Sequence, residues 1–157
     1  MRKRIITQGT QDVILPDQNW LDLESLAEVE LTSEDASHPI EAALKPGDGV
    51  GWRALEPGKQ TVRLLFYKPL RVRRIRLVFK GDGQDRTHEF VLRWSSDGGQ
   101  SFREIVRQQY NFSPPDNTLE IEEYAVDLDG LTTLEVTIVP DISGGVARAS
   151  FAQLCLA

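Results

Sequence analysis

Apolar residues along this chain alternate with polar ones more often than they recur every three or four positions, which is the pattern of half-buried β-strands. Across 61–67, Val62, Leu64 and Phe66 share one face, and Lys68-Pro69 closes the run. Across 72–79, Ile75, Leu77 and Phe79 lie opposite Arg74 and Arg76; across 89–95, Phe90, Leu92 and Trp94 lie opposite Val91 and Arg93. The same period predicts strands over 102–108, 119–128, 134–139 and 147–156. One stretch departs from it. In WLDLESLAEVE (20–30), Leu23, Leu26 and Ala27 suit a short helix, after which Ala27, Val29 and Leu31 change to the phase of a strand over 27–32. His38-Pro39 before IEAAL predicts one helical turn, because proline suits the first helical position. Gly, Pro, Asn and Asp punctuate these segments at the intervals of an antiparallel β-sandwich, so the expected class is all-β.

A length of 157 residues fits one domain, 1–157, with residues 1–25 as an N-terminal extension or added strand. The net charge of -6 and pI near 5.0 argue against a dedicated nucleic-acid binder, which needs a basic face for phosphates. Charge is nevertheless segregated. Arg63, Lys68, Arg71, Arg73, Arg74 and Arg76 crowd one stretch, while Glu120, Glu122, Glu123, Asp127 and Asp129 crowd another that lacks Lys and Arg. The first reading is that these are the solvent faces of paired strands; the second is a basic docking surface for an acidic partner. Cys155 is the only cysteine, which excludes an intramolecular disulfide. The basic N-terminus meets Gln8, Gln11 and Asp12 before any apolar run of signal-peptide length develops, and no membrane-spanning stretch follows. The expectation is a cytoplasmic protein with no membrane partner.

The segment SSDGGQSF (95–102) raises the question of an enzyme, because its spacing resembles the Asp-box hairpin of sialidase-type propellers. Propellers repeat a blade of about 40–50 residues several times, and here the pattern occurs once. Asp-Gly-Gly supplies what a tight hairpin needs: a carboxylate to accept backbone hydrogen bonds, and glycines that tolerate positive φ. The pattern therefore predicts a turn between two strands. No Gly-x-Ser-x-Gly motif or His-rich metal spacing occurs, so no catalytic residue is assigned and the chain reads as a non-enzyme.

From Leu26 to Ala157 the order of elements resembles the galactose-binding-like or discoidin domain, also called the coagulation-factor type C domain. HPIEAAL precedes a Gly-rich loop and Trp52-Arg53; TVRLLFYKPLRVRRIRLVF, FVLRWSSDGGQSFREI and LEVTIVPDISGGVARASFAQLCLA follow in the family's sequence. The resemblance extends to family 32-type carbohydrate-binding modules and implies a jelly-roll-like sandwich whose end loops form the ligand surface. Those loops would be 47–53, 80–88 and the region of Ser37-His38, with 140–148 not assignable to an end.

Sugar sites need a flat apolar surface for the ring and planar polar groups that share hydrogen bonds with adjacent hydroxyls. Asp82, Asp85, Arg86 and His88 supply the polar groups, with Arg53 nearby. The aromatic candidates are Trp52, which either stacks on the ligand or packs beneath its loop, and Tyr110, which either lines the surface or pins the QQYNFSPPD connector to the core. The resemblance also implies a structural calcium ion, for which Asp48 is the candidate ligand. Calcium is not favoured, because the family's acidic ligand near the C-terminus is replaced by Gln153. The expected function is non-catalytic recognition of a carbohydrate or similar polar ligand; the alternative is an intracellular protein-interaction adaptor of the same fold.

Overall fold

The computed structural model describes residues 20–47 and 49–157. The expected extension 1–25 lies mostly outside them. Its described end closes onto the sandwich: one helical turn, α1 (Leu23–Leu26), buries Leu23, and the Leu21 amide donates to the Leu156 carbonyl at 2.8 Å. Strands then follow as β1 (Ala27–Leu31), β2 (Trp52–Pro57), β3 (Gln60–Lys80), β4 (Arg86–Ser95), β5 (Arg103–Phe112), β6 (Leu119–Val139), β7 (Arg148–Phe151) and β8 (Gln153–Leu156). A helical turn over Ile40–Ala43 precedes β2, with Pro39 as its cap.

Two strands organise the rest. β3 and β6 are each 21 residues long and pair antiparallel, so they form one ribbon. Their register shifts between Leu65 and Arg74, opposite the stretch of β6 around Gly130, whose φ of 75° takes the backbone through a conformation that favours glycine. There the ribbon folds over. Its first layer pairs Gln60–Leu65 of β3 with Thr133–Ile138 of β6 and carries β1 on one side and the β4–β5 hairpin on the other. Its second layer pairs Val72–Lys80 with Leu119–Leu128 and carries β8. The layers meet face to face: the ring of Phe79 on β3 lies 4.9 Å from that of Phe90 on β4, although these strands are not neighbours in a sheet. The result is the antiparallel β-sandwich that the alternation predicts.

The sequence splits each long strand in two, at Lys68-Pro69 and before Leu134. Pro69 is exposed and sits between the register shifts, where no ladder hydrogen bond requires its missing N–H. The charge segregation resolves as cross-strand pairing. Arg74 and Arg76 each lie 3.6 Å from Glu123, and Arg71 donates to Asp127 at 2.8 Å.

The β4–β5 turn is the hairpin expected from SSDGGQSF. Asp97 accepts from the Ser101 amide at 2.9 Å and hydroxyl at 2.5 Å, and from the Ser95 hydroxyl at 2.6 Å, while Gly98 and Gly99 hold φ of 76° and 90°. These bonds, the Ser101 side chain's foremost, hold the Asp97 carboxyl well below the usual range. β4 starts at Arg86 and is ten residues long, so this turn lies about 30 Å from the β3–β4 loop, at the opposite end of the sandwich.

One polar pair is buried in the core. His88 and Glu120, each 1–2% exposed, approach at 2.5 Å between Nε2 and Oε1, and the His88 ring packs edge-on against Phe79 and Phe112 at 4.6 and 4.9 Å. The sequence reading of His88 as a loop ligand is thereby corrected: it lies on β4, facing inward between the layers. Removing one member strands the other in an apolar surrounding, whereas replacing both with apolar groups removes the desolvation cost. The variant His88→Ala is expected to lose about 3–5 kcal/mol in urea unfolding. The double replacement His88→Leu with Glu120→Leu should lose less than that single change; an equal or larger loss would contradict this account of the pair.

Candidate functional site

Three stretches of chain converge at the end of the sandwich opposite the Asp97 hairpin. They are the segment between β1 and β2, the β3–β4 loop (residues 81–85) and the β6–β7 loop (residues 140–147). Together with the ribbon formed by β2 and β7, they enclose an open cleft of about 740 Å³. The sequence left residues 140–148 unassigned to an end; the structure puts them on the cleft through Gly144, Gly145, Val146 and Arg148.

Four of the candidates line this cleft with polar groups, in two different states. Asp82 and Asp85, in the β3–β4 loop, are exposed. Arg86 lines the cleft, but its guanidinium is engaged: Nη1 donates to the Pro140 carbonyl at 2.7 Å, Nε lies 3.4 Å from Asp82, and its charge sits 4.8 Å from the Phe112 ring. It clamps the β6–β7 loop to the start of β4. Arg53 stands on β2 rather than in a loop, 41% exposed.

The aromatic candidates are not presented to the cleft. Trp52 is 1% exposed, its Nε1 donating to the Ser33 carbonyl at 3.2 Å and its ring 5.2 Å from Phe151, so it floors the cleft from below. Stacking on a ligand is excluded for it in this conformation. Tyr110 does not line the cleft; its hydroxyl donates to the Leu119 carbonyl at 3.0 Å and its ring packs against Phe112, which pins the connector as the second of its two readings held. Apolar surface at the mouth comes instead from aliphatic side chains, Val50 at 66% and Val146 at 87% exposed.

Sequence reasoning missed the residue that organises one wall. Asp35 accepts from the Ser37 hydroxyl at 2.8 Å and amide at 3.0 Å, and its other oxygen, Oδ2, meets Arg53 at 3.2 Å, His38 at 3.8 Å and Arg148 at 4.0 Å. Asp-x-Ser, the side chain accepting from the amide two residues on, was the available signal. The Ser37 bonds, with Arg53 behind them, lower the Asp35 carboxyl from 3.8 to about 2.

The loop after the helical turn is where the resemblance implies a calcium ion. Asp48 itself lies outside the described residues. The Gln153 amide donates to the Gly47 carbonyl at 3.2 Å, and Arg76 and Lys80 line the same recess. Among the described residues, no group of three or more His, Cys, Asp or Glu is placed to hold a metal.

No family model and no curated protein matches the sequence. Solved structures do. A family 32 carbohydrate-binding module of Clostridium perfringens NanJ, in complex with galactose, is similar with a TM-score of 0.64 at 14% identity, over 87% of this chain and 96% of that one. The C. perfringens module CpGH89CBM32-5, in complex with GalNAc-β-1,3-galactose, has a TM-score of 0.62 at 17% identity, over 88% and 99%. The C-terminal domain of a Bacteroides fragilis chitobiase has a TM-score of 0.62 at 16% identity, over 88% and 97%. The chain has the discoidin, galactose-binding-like fold.

The depressed Asp35 value has a direct consequence. A carboxylate with a lowered folded value contributes stability that is complete above its ordinary value of 3.8 and fades as pH falls toward about 2. The variant Asp35→Asn should melt below wild type by a constant margin from neutral pH down to mildly acidic pH. That margin should then close as pH falls from 3.8 through about 2. Melting followed by circular dichroism checks this; a margin that closes already above the ordinary carboxylate range would contradict it.

Proposed function

We propose that this protein is a non-catalytic module that binds a sugar in the end cleft. The observation that carries the reading is the convergence of polar side chains from separate elements, Asp82 and Asp85 with Arg53 and His38, on a cleft of about 740 Å³. That volume lies within the range of small-ligand sites, about 300–1,000 Å³. Hydroxyl groups donate to carboxylates and accept from guanidinium N–H groups, so a pyranose can satisfy both kinds of group at once. The fold of galactose-bound and GalNAc-β-1,3-galactose-bound modules supports the same reading.

The absence of an exposed aromatic among the lining residues shapes the expectation. Val50 and Val146 offer a smaller apolar surface than a stacked ring, so affinity rests more on the polar contacts. Asp85 is exposed and is the cleanest of these to remove, whereas Arg86 also holds a loop. A glycan array followed by calorimetric titration of the best galactose- or GalNAc-terminated hit tests the proposal. Binding should fall about tenfold or more in Asp85→Ala, the scale of one charge-assisted hydrogen bond. A uniformly empty array would overturn the reading, and a stoichiometric protein partner recovered alongside it would move the assignment to the adaptor.

A further inference from the structure

The charged residues of the cleft divide by element: Arg53 and Arg148 stand on β2 and β7 with no carboxylate of those strands in the lining, whereas Asp82 and Asp85 lie between Lys80 and Arg86. Arg53 on β2 and Arg148 on β7 belong to one antiparallel ribbon, in which Arg53 pairs with Ser150 and Arg148 with Pro57. Both guanidinium groups turn to the same oxygen of Asp35, at 3.2 and 4.0 Å, and the His38 ring lies 3.5 Å from the Arg53 guanidinium. Two permanent positive charges thus share one carboxylate, which does not itself line the cleft. Each guanidinium has five N–H donors, and a single carboxylate oxygen cannot satisfy two such groups. Arg53 and Arg148 remain 41% and 46% exposed on the cleft side. The β3–β4 loop contributes Asp82 and Asp85 to the same cleft, flanked by Lys80 and Arg86.

We propose that the cleft selects a sugar bearing an anionic group, a carboxylate or a sulfate, which sits against Arg53 and Arg148 while ring hydroxyls face Asp82 and Asp85. The inference rests on the carbohydrate reading of the cleft and narrows it to acidic sugars. Bringing an anion between the two guanidinium groups supplies the charge that Asp35 alone leaves short and relieves their mutual repulsion. Asp85, with no arginine of its own among the described residues, accepts from hydroxyls and disfavours the anion, so the ligand has one favoured orientation. A neutral sugar gains the hydroxyl contacts and nothing from the paired charge. The Arg86 guanidinium is already engaged by Pro140, Asp82 and Phe112 and carries a structural role, so the selection is assigned to Arg53 and Arg148.

The test is a calorimetric titration of the whole chain with three methyl glycosides in both galacto and gluco configuration: neutral, uronic acid and 6-sulfate. The acidic members should bind about tenfold or more tighter than the neutral one at low salt, and added salt should erode the difference. The preference should collapse in Arg148→Gln, whose exposed side chain makes a folding defect avoidable, and in Arg53→Gln. The uronic acid and 6-sulfate arms then show which anion the wall prefers. Equal affinity for neutral and acidic sugars overturns the anion assignment and leaves carbohydrate binding standing. A preference that survives in both arginine variants overturns the assignment to this wall, and no binding of any glycoside overturns both.

Discussion

The pairing of β3 with β6 is the constraint on which the other features depend. A two-stranded ribbon that folds over at its middle must return both of its ends to one end of the sandwich. The pairs Gln60–Ile138 and Lys80–Leu119 mark those ends, and the contact of Phe79 with Phe90 shows that they face each other across the core. From this follows the position of the cleft. β3 leaves into the loop carrying Asp82 and Asp85, and β6 leaves into the loop carrying Val146. β1 ends opposite Val62, at the same end, and releases the segment that carries Asp35 and His38. The Asp97 turn is left at the far end, where its amide-rich tip meets Thr132 near the fold-over.

Within the cleft, the division of labour between held and available groups decides what chemistry remains. Arg86, Trp52 and His88 have chemistry-bearing side chains, yet each is already committed: to a carbonyl, to the floor and to a buried carboxylate. Arg86 and Trp52 hold the cleft's surrounding segments, His88 lies in the core beneath them, and Asp85, Arg53 and Arg148 keep unused donor or acceptor capacity. Buried polar groups of this kind hold the shape of a cleft, and its exposed ones stay available for contact. Glu135 on the outer face of the first layer shows the same logic without a cleft. Burial disfavours its charge, but the guanidinium bonds from Arg63 and Arg93 outweigh that and keep its carboxyl below the usual range.

Alternation made the strands legible because each has one face against the core, and the Asp-Gly-Gly turn was legible because its bonds are local. What escaped was long-range. Lys68-Pro69 and Gly130 look like strand ends, and only the partner strand shows that the ribbon bends there without breaking. Trp52 and Arg53 read as a loop because of the glycines before them; their strand exists only through pairing with β7. His88 follows a polar loop in the sequence and alternates in phase with Phe90 and Leu92, so its inward direction was present in the pattern, while its partner Glu120 lies 32 residues away. Asp35 was hidden because its two arginine partners come from β2 and β7, far along the chain.

The central claim is that the end of the sandwich formed by the β3–β4 and β6–β7 loops is the recognition surface. Backbone amide chemical-shift mapping during titration with a galacto-configured glycoside, neutral or acidic, tests it most directly. The account predicts saturable shifts confined to residues 50–53, 81–86 and 141–148, with the Asp97 turn unmoved. Shifts centred on residues 96–101, or on the outer face around Glu135, with the cleft silent, would contradict it.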